Sequence, residues 1–323
     1  MPENNFQNRI SFRGDLSPVL ENVCADFAIG KYSSHQIVTT GYEDLNIIVS
    51  TNSGKYFLKI FSDFRSIDDC KRYIDIVTKV LEAGVHHPKL FKYNDEYLYQ
   101  DGSNDIRLCV MEFIDGNTFY DFSRKLSNEE IKKVVDEVIK INKINYKPAF
   151  MYDSWAISSI LDEYEIIKNY LNEDDLKLVS PLIEKFASID QDSLPHSLVH
   201  GDLIKPNVLL SKDEQIYVID FSVANYAPRI QELAVLFCNM FFDKKDDALN
   251  NEIFKKVIDQ YCKEIALTEL ELSLLPFYID LAHAMHIIGA NSEKYLADND
   301  SAENQYWLNL GRSGLKKEIH VRS

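Results

Sequence analysis

His200, Asp202 and Asn207 fall within one short stretch, H-G-D-L-I-K-P-N. A further carboxylate, Asp220, follows in V-I-D-F. A carboxylate and an amide five positions apart on a loop, with another carboxylate at the end of the next apolar run, suit phosphoryl transfer. Asp202 would orient an attacking hydroxyl and accept its proton, while Asn207 and Asp220 would hold Mg²⁺ against nucleotide phosphates. The plainer reading is of an Asp and an Asn capping loop turns. With three fixed positions at about one in twenty each, H-x-D-x-x-x-x-N arises by chance in roughly a few per cent of such chains. Apolar runs on both sides and the later Asp220 narrow that considerably.

A cation for the phosphates is present in Y-F-L-K-I-F, where alternation puts Lys59 on the same strand face as Phe57 and Phe61. A lysine between two aromatics is poorly placed for simple solvation. It could pair with phosphates, with the glycine-containing turn G-Y-E-D-L-N, Gly41 to Asn46, covering them. An edge-strand lysine with its stem laid on the sheet is the alternative.

The elements that must position these groups can be read from hydrophobic period. Ser17 to Phe27 has Val19, Leu20, Val23, Cys24 and Phe27 at helical spacing and stops at Gly30. H-Q-I-V-T-T, N-I-I-V-S and K-Y-F-L-K-I-F are then three strands in meander order, separated by turn compositions. Ser66 to Glu82 is a helix opened by Ser66 with Asp69 three residues on, and striped by Ile67, Cys70, Ile74, Val77 and Leu81. K-L-F-K-Y-N-D-E-Y-L-Y-Q reads as a hairpin around Asn94 and Asp95, and R-L-C-V-M-E-F as a largely apolar strand running into the turn I-D-G-N. Helices dominate after Gly116, starting with a capping box of Ser127 and Glu130. A second helical region spans Ile157 to Ser188, and β character returns only around the 200–220 stretch, as two short strands flanking S-K-D-E. Beyond Arg229 everything to Ile319 reads as helices. The expected fold is therefore α+β and two-lobed: residues 1–113 a lobe of about five antiparallel strands with one helix behind a leading helix, residues 114–323 mainly helical.

Gly41 to Asn46, Lys59, M-E-F-I-D-G (Met111 to Gly116), H-G-D-L-I-K-P-N and V-I-D-F resemble, in order and spacing, the aminoglycoside phosphotransferase and choline kinase superfamily, with homoserine kinase relatives. The resemblance runs from about Val19 to Leu236 and implies a bilobal protein-kinase-like fold that moves the γ-phosphate of ATP or GTP, with Mg²⁺, to a hydroxyl of a small molecule bound between the lobes. Asp202 would be the base, Asn207 and Asp220 the metal ligands, Lys59 the phosphate ligand, and Met111 and Phe113 the backbone contacts to adenine. His200 would order the loop, and Lys205 either touches the γ-phosphate or is a surface lysine. Gln231 to Phe237 resembles the helix start under the metal loop, with Glu232 where Asp is usual. The acceptor could be an aminoglycoside, which would imply antibiotic resistance, or a metabolite such as homoserine, choline or a sugar.

One departure stands out. The superfamily pairs its strand lysine with a helix Glu, and that place falls on Tyr73; no Glu occurs from Ser66 to Leu81. Asp69, one turn earlier on the same face, is the substitute, because Asp75 lies with Lys71 and Glu82 on a solvated face. Failing Asp69, Lys59 is held another way, or the protein is a non-catalytic, nucleotide-binding pseudokinase.

Composition bounds the partners. With 35 Lys+Arg against 51 Asp+Glu, the net charge of −16 argues against nucleic acid and anionic membranes, and favours a cationic ligand wherever those charges line a cleft. Five scattered cysteines, Cys24, Cys70, Cys109, Cys238 and Cys262, read as buried thiols of a reducing compartment. No apolar run approaches the ~20 residues of a membrane span, so the expectation is a cytoplasmic monomer or homodimer. His283 and His286 sit at i, i+3, a spacing that binds metal only with a third ligand, and packing or substrate lining is the plainer role. Trp155, beside Asp153, could grip an ammonium group but is more ordinarily a core anchor, as is Trp307.

Overall fold

A computed structural model describes residues 4–39, 41, 43–122 and 124–316. Tyr42 of the Gly41 turn and the tail from 317, including the expected helical end at Ile319, lie outside them. The chain divides into two compact units, one comprising residues up to 82, 86–116 and 211–213, the other 83–85, 117–210 and 214 onward.

The first unit opens with α1 (Asn4–Gln7) and α2 (Ser17–Asp26). The meander follows as β1 (Tyr32–Ile37), β2 (Leu45–Thr51) and β3 (Gly54–Ile60), then α3 (Ile67–Glu82), β4 (Tyr99–Asp101) and β5 (Ile106–Glu112). The strands form one antiparallel five-stranded sheet in the order β1-β2-β3-β5-β4. Strand alternation sorts its two faces. Leu45, Ile47, Val49, Leu58, Ile60, Leu108 and Val110 pack with Leu20, Val23 and Cys24 of α2 in one apolar cluster. Lys59 and Phe61 take the opposite parity, and there Phe61 meets the ring of Tyr73 from α3 at 5.4 Å. The expected hairpin around Asn94 is smaller than its sequence suggests: Asn94 and Asp95 form a tight turn with positive φ, closed by Tyr93 and Glu96, and only Leu90 of the preceding run bridges to β5.

The rest of the chain, all in the second unit save Gly116 and Ser211, forms β6 (Gly116–Thr118), α4 (Asn128–Asn142), α5 (Ile160–Ile167), α6 (Glu173–Ala187), β7 (His196–Val199), β8 (Val208–Ser211), β9 (Ile216–Val218), β10 (Asn225–Pro228), α7 (Ile230–Leu236), α8 (Asp247–Tyr261), α9 (Glu269–Leu296) and α10 (Ala302–Leu315). The Ser127/Glu130 capping box forms at the start of α4, and Ile131, Val134, Val135, Val138 and Ile141 are buried along it. The region from Ile157 to Ser188 is two helices, since Asn172 caps a fresh start by accepting from the Asp175 N–H. β10, missed in the sequence because N-Y-A-P carries no alternation, pairs antiparallel with β7 and frames the 200–224 loops. A π-helical turn, Phe237–Phe241, continues α7.

One described helix, α9, is long and apolar enough to cross a membrane by length and composition, although the sequence reading found no such run. In the fold 72% of its apolar window is buried, so its hydrophobicity serves the core. His283 and His286 are buried on α9; Trp307 is buried and Trp155 half-buried, with Trp155 packed on Gly289 as a core anchor.

Candidate active site

The 200–222 region folds around backbone demands. Gly201 has φ +83°, in the left-handed region that a side chain resists, which turns the chain sharply between His200 and Asp202. The His200 ring, fully buried, accepts from the Asp202 N–H at Nδ1 (3.2 Å), so its proton sits on Nε2, which donates to the Ile219 carbonyl (3.0 Å). Burial lowers its pKa to about 4, keeping the ring neutral. It ties the turn before Asp202 to the residue before Asp220, which is an ordering role.

Asp202 and Asn207 are joined directly. Asn207 Nδ2 donates to Asp202 Oδ2 at 2.7 Å and to the Asp202 carbonyl at 2.9 Å. The 3-10 turn Lys205–Asn207 makes this five-residue spacing fit. The Ile219 N–H donates to the Asn207 carbonyl (2.9 Å), bringing Asp220 to the same place. Asp220 itself has φ +65°, uncommon for a residue with a side chain, and its Oδ1 accepts from Ser222 Oγ at 2.6 Å. With Nδ2 committed to Asp202, Asn207 presents its Oδ1, and Asp220 its carboxylate, as hard oxygen ligands that fit Mg²⁺. No group of three or more His, Cys, Asp or Glu among the described residues is arranged to hold a metal, so such a site would need oxygens from elsewhere, as a nucleotide's phosphates supply.

Glu232, at the start of α7, lies fully buried beneath this loop and accepts from the His200 N–H. Burial raises its pKa to about 7. Lys205 is half-buried, and burial lowers its pKa while Asp243 opposes the shift.

In the first unit the lysine is held in a way the sequence reading did not find. Lys59 Nζ meets Asp44 Oδ2 at 2.8 Å, with side-chain exposures of 4% and 2%. The other oxygen of Asp44 accepts from Arg65 Nε (2.9 Å) and the Ser62 N–H (3.0 Å). Arg9 clamps the same turn through the carbonyls of Gly41 (2.7 Å) and Asp44 (3.2 Å). Tyr73, at the place of the missing Glu, stands beside the lysine with its ring centroid 5.3 Å from Nζ. Asp69, expected as the partner, is instead spent on its own helix: it accepts from the Ser66 N–H (2.9 Å) and hydroxyl (2.7 Å) as half of a capping box. Asp44 escaped notice because it sits in G-Y-E-D, a composition that a plain turn explains equally well.

Asn46 is directly opposite Lys59 in the ladder, and its Oδ1 is buried without a hydrogen-bond partner among the described residues. Met111 lies inside the sheet, across from Phe57 on one side and Leu90 on the other. The chain leaves the ladder after Glu112, and the ring of Phe113, the next residue, lies 5.4 Å from Lys55 Nζ. Among the described residues, no His, Cys, Asp or Glu group around His283 and His286 is arranged to hold a metal: Cys238 Sγ is 3.1 Å from His283 Nδ1, and Asn239 Oδ1 is 2.9 Å from His286 Nε2.

A five-stranded antiparallel sheet with one long helix, followed by a mainly helical unit, is the fold of solved kinases. The phosphotransferase enzyme family model matches residues 34–261, and the chain belongs to that family. It is 25% identical over 247 residues to a homoserine kinase of Zymomonas mobilis subsp. mobilis, covering 75% of each chain. A homoserine kinase of Bradyrhizobium sp. is 20% identical over 258 residues, 77% of each chain. Among solved structures, an amicoumacin kinase in complex with AMP-PNP, Ca²⁺ and Ami superposes with a TM-score of 0.69 at 16% identity, over 100% of this chain and 98% of that one. An AMP-bound spectinomycin phosphotransferase superposes with 0.68 at 13%, over 95% and 98%. The protein is a phosphotransferase of the kinase type.

Proposed function

We propose that the protein transfers the γ-phosphate of ATP, or of GTP, to a hydroxyl of a small metabolite. The observation that carries this reading is the 2.7 Å bond from Asn207 Nδ2 to Asp202 Oδ2, which locks the candidate base to a candidate metal ligand. Asp202 accepts the hydroxyl proton as the acceptor oxygen bonds to the γ-phosphorus; the bond from that phosphorus to the β,γ-bridging oxygen breaks, and the nucleoside diphosphate leaves. A divalent cation, Mg²⁺, held by Asn207 Oδ1 and the Asp220 carboxylate, would neutralise charge on the phosphates.

Lys59, oriented by Asp44, would bind nucleotide phosphates under the turn from Gly41 to Asn46, and the buried Asn46 Oδ1, an acceptor, would take a hydrogen bond from a nucleotide hydroxyl. Phe113, just past the end of its strand, would offer its backbone to the base, with Met111 behind it in the sheet. The Lys59–Asp44 pair supports a catalytic kinase over a pseudokinase, because it supplies the carboxylate that the helix lacks. Because the curated relatives are named homoserine kinases, a small hydroxy metabolite is a better first acceptor than an aminoglycoside.

Mg²⁺-dependent ATP and GTP turnover across amines, sugars and amino alcohols tests the reading. Asp202→Asn should lower kcat by at least about a hundredfold, as loss of a general base does, and leave nucleotide affinity within about threefold. Near wild-type kcat in that variant would remove Asp202 as the base.

A further inference from the structure

The turn between β1 and β2, which would cover the phosphates, is held from two sides. Its base is closed by the Val38 N–H on the Asn46 carbonyl (2.9 Å), which leaves residues 39–45 beyond that bond, a longer span than most hairpin loops. Its later half is tied to the sheet and the segment after β3 by side chains: Asp44 meets Lys59 and Arg65, and Glu43 meets Arg65. Its tip is held by a residue from far earlier in the chain. Arg9, 32 positions before Gly41, donates from Nη2 to the Gly41 carbonyl (2.7 Å) and from Nη1 to the Asp44 carbonyl (3.2 Å).

The arm that carries Arg9 is itself fixed. Phe6 and Ile10, on either side of the arginine, are buried in the apolar cluster of the sheet. The Asp63 N–H donates to the Arg9 carbonyl (3.0 Å), pinning the arm to the segment after β3, and the Phe6 ring lies 4.4 Å from the guanidinium carbon. Gln7 Nε2 donates to the Gly14 carbonyl (2.7 Å), and Arg13 donates to the carbonyls of Gln7 and Asn8 (3.2 Å each), so residues 7–14 close on themselves. The stretch shared with the phosphotransferase family begins at residue 34, and the arm is therefore an addition to it.

We propose that Arg9 is a positioning residue for the nucleotide: the arm holds the turn, by its Gly41 and Asp44 carbonyls, in the shape that covers the phosphates. The inference rests on the kinase reading above and goes beyond it, because it assigns part of the nucleotide affinity to a residue that spends both terminal nitrogens on the turn. A guanidinium suits this task. Its planar fork serves two carbonyls at once in a fixed geometry, whereas an ammonium is a single point on a flexible stem. A span of this length left loose would have to be ordered by the ligand, at the expense of affinity. With the arm in place, that ordering is complete before the nucleotide arrives. The gain falls on the phosphates, under the turn, and not on the base, whose contacts at Met111 and Phe113 belong to the end of β5.

The test is equilibrium binding of Mg²⁺-AMP-PNP and of adenosine to the full chain, by isothermal titration. Arg9→Ala should weaken AMP-PNP by roughly tenfold or more, the lower range for hydrogen bonds from a charged donor, and leave adenosine within about twofold, since adenosine has no phosphate for the turn to cover. Arg9→Lys should recover only part of that loss. Equal weakening of both ligands would mark Arg9 as purely structural and overturn the proposal. Unchanged AMP-PNP binding in Arg9→Ala overturns it as well. So does full recovery in Arg9→Lys, because positive charge and not the grip on two carbonyls would then be what matters. If Arg9→Ala does not fold, Arg9→Lys decides alone: weaker AMP-PNP with unchanged adenosine supports the proposal, and wild-type affinity for both refutes it. No binding of AMP-PNP by the wild-type chain would sink the kinase reading itself, and this proposal with it; AMP-PNP binding insensitive to both variants would sink this one alone.

Discussion

Asp44→Asn probes the ion pair that orients Lys59. In the native fold one carboxylate receives Lys59 Nζ at 2.8 Å, Arg65 Nε at 2.9 Å and the Ser62 N–H at 3.0 Å, all within a buried site. Asparagine keeps one oxygen for Ser62 or Arg65 but turns an N–H₂ toward another donor, leaving the Lys59 ammonium buried without its anion. Removing one partner of a buried pair costs about 3–5 kcal/mol. Arg65 retains Glu43, so the lower end applies here. The kinetic effect follows from one lost charged hydrogen bond, about 1.5–3 kcal/mol, or roughly 10- to 150-fold in kcat/KM for the nucleotide. Chemical denaturation and initial rates against ATP concentration measure the two effects separately, and Asp44→Glu should recover part of the rate. Asp69→Asn is the control: it weakens a helix cap by about 1 kcal/mol and should leave nucleotide kinetics unchanged. A folded Asp44→Asn enzyme with wild-type kcat/KM, or with tighter ATP binding, would refute the reasoning. The latter would mean that Asp44 competes with the phosphates.

Two further outcomes follow from buried groups in the second unit. Glu232 has a pKa raised to about 7 by burial, so the folded state holds a proton that the unfolded chain releases near its ordinary value; its contribution to stability is complete below about 4.5 and lost as pH rises through 7. Glu232→Gln should remove that dependence, worth on the order of 3 kcal/mol, and identical pH–stability curves for the two proteins between pH 5 and 8.5 would contradict it. At Gly314 an added Cβ would lie 2.2 Å from the His283 ring. Gly314→Ala should destabilise by about 1–3 kcal/mol, and combining it with His283→Ala should give less than the sum of the two single effects; strict additivity would show that the contact is absent.

Much of the candidate site's geometry was legible because it depends on short sequence distances. The span from His200 to Asn207 is one turn and one 3-10 segment, so residue order fixes which side chains meet. The same holds for the Ser127/Glu130 cap and for the parity that puts Lys59 and Phe61 on the face opposite Leu58. Period and local hydrogen-bonding chemistry settle such features before any tertiary contact forms.

What tertiary structure decided is which distant group completes each site. Asp44 and Asp69 are both acidic residues within reach of Lys59 along the sequence, and nothing local says which is used. Register does: β2 against β3 places Asn46 opposite Lys59 and brings Asp44 to its ammonium, while the Ser66 cap consumes Asp69. Arg9 likewise reads as one more basic residue until Phe6 and Ile10, buried in the sheet's core, bring it to the Gly41 and Asp44 carbonyls. The net charge of −16 was fixed by composition alone. Folding assigned those charges to work, because a carboxylate becomes selective only where neighbouring groups hold it still and limit its access to water.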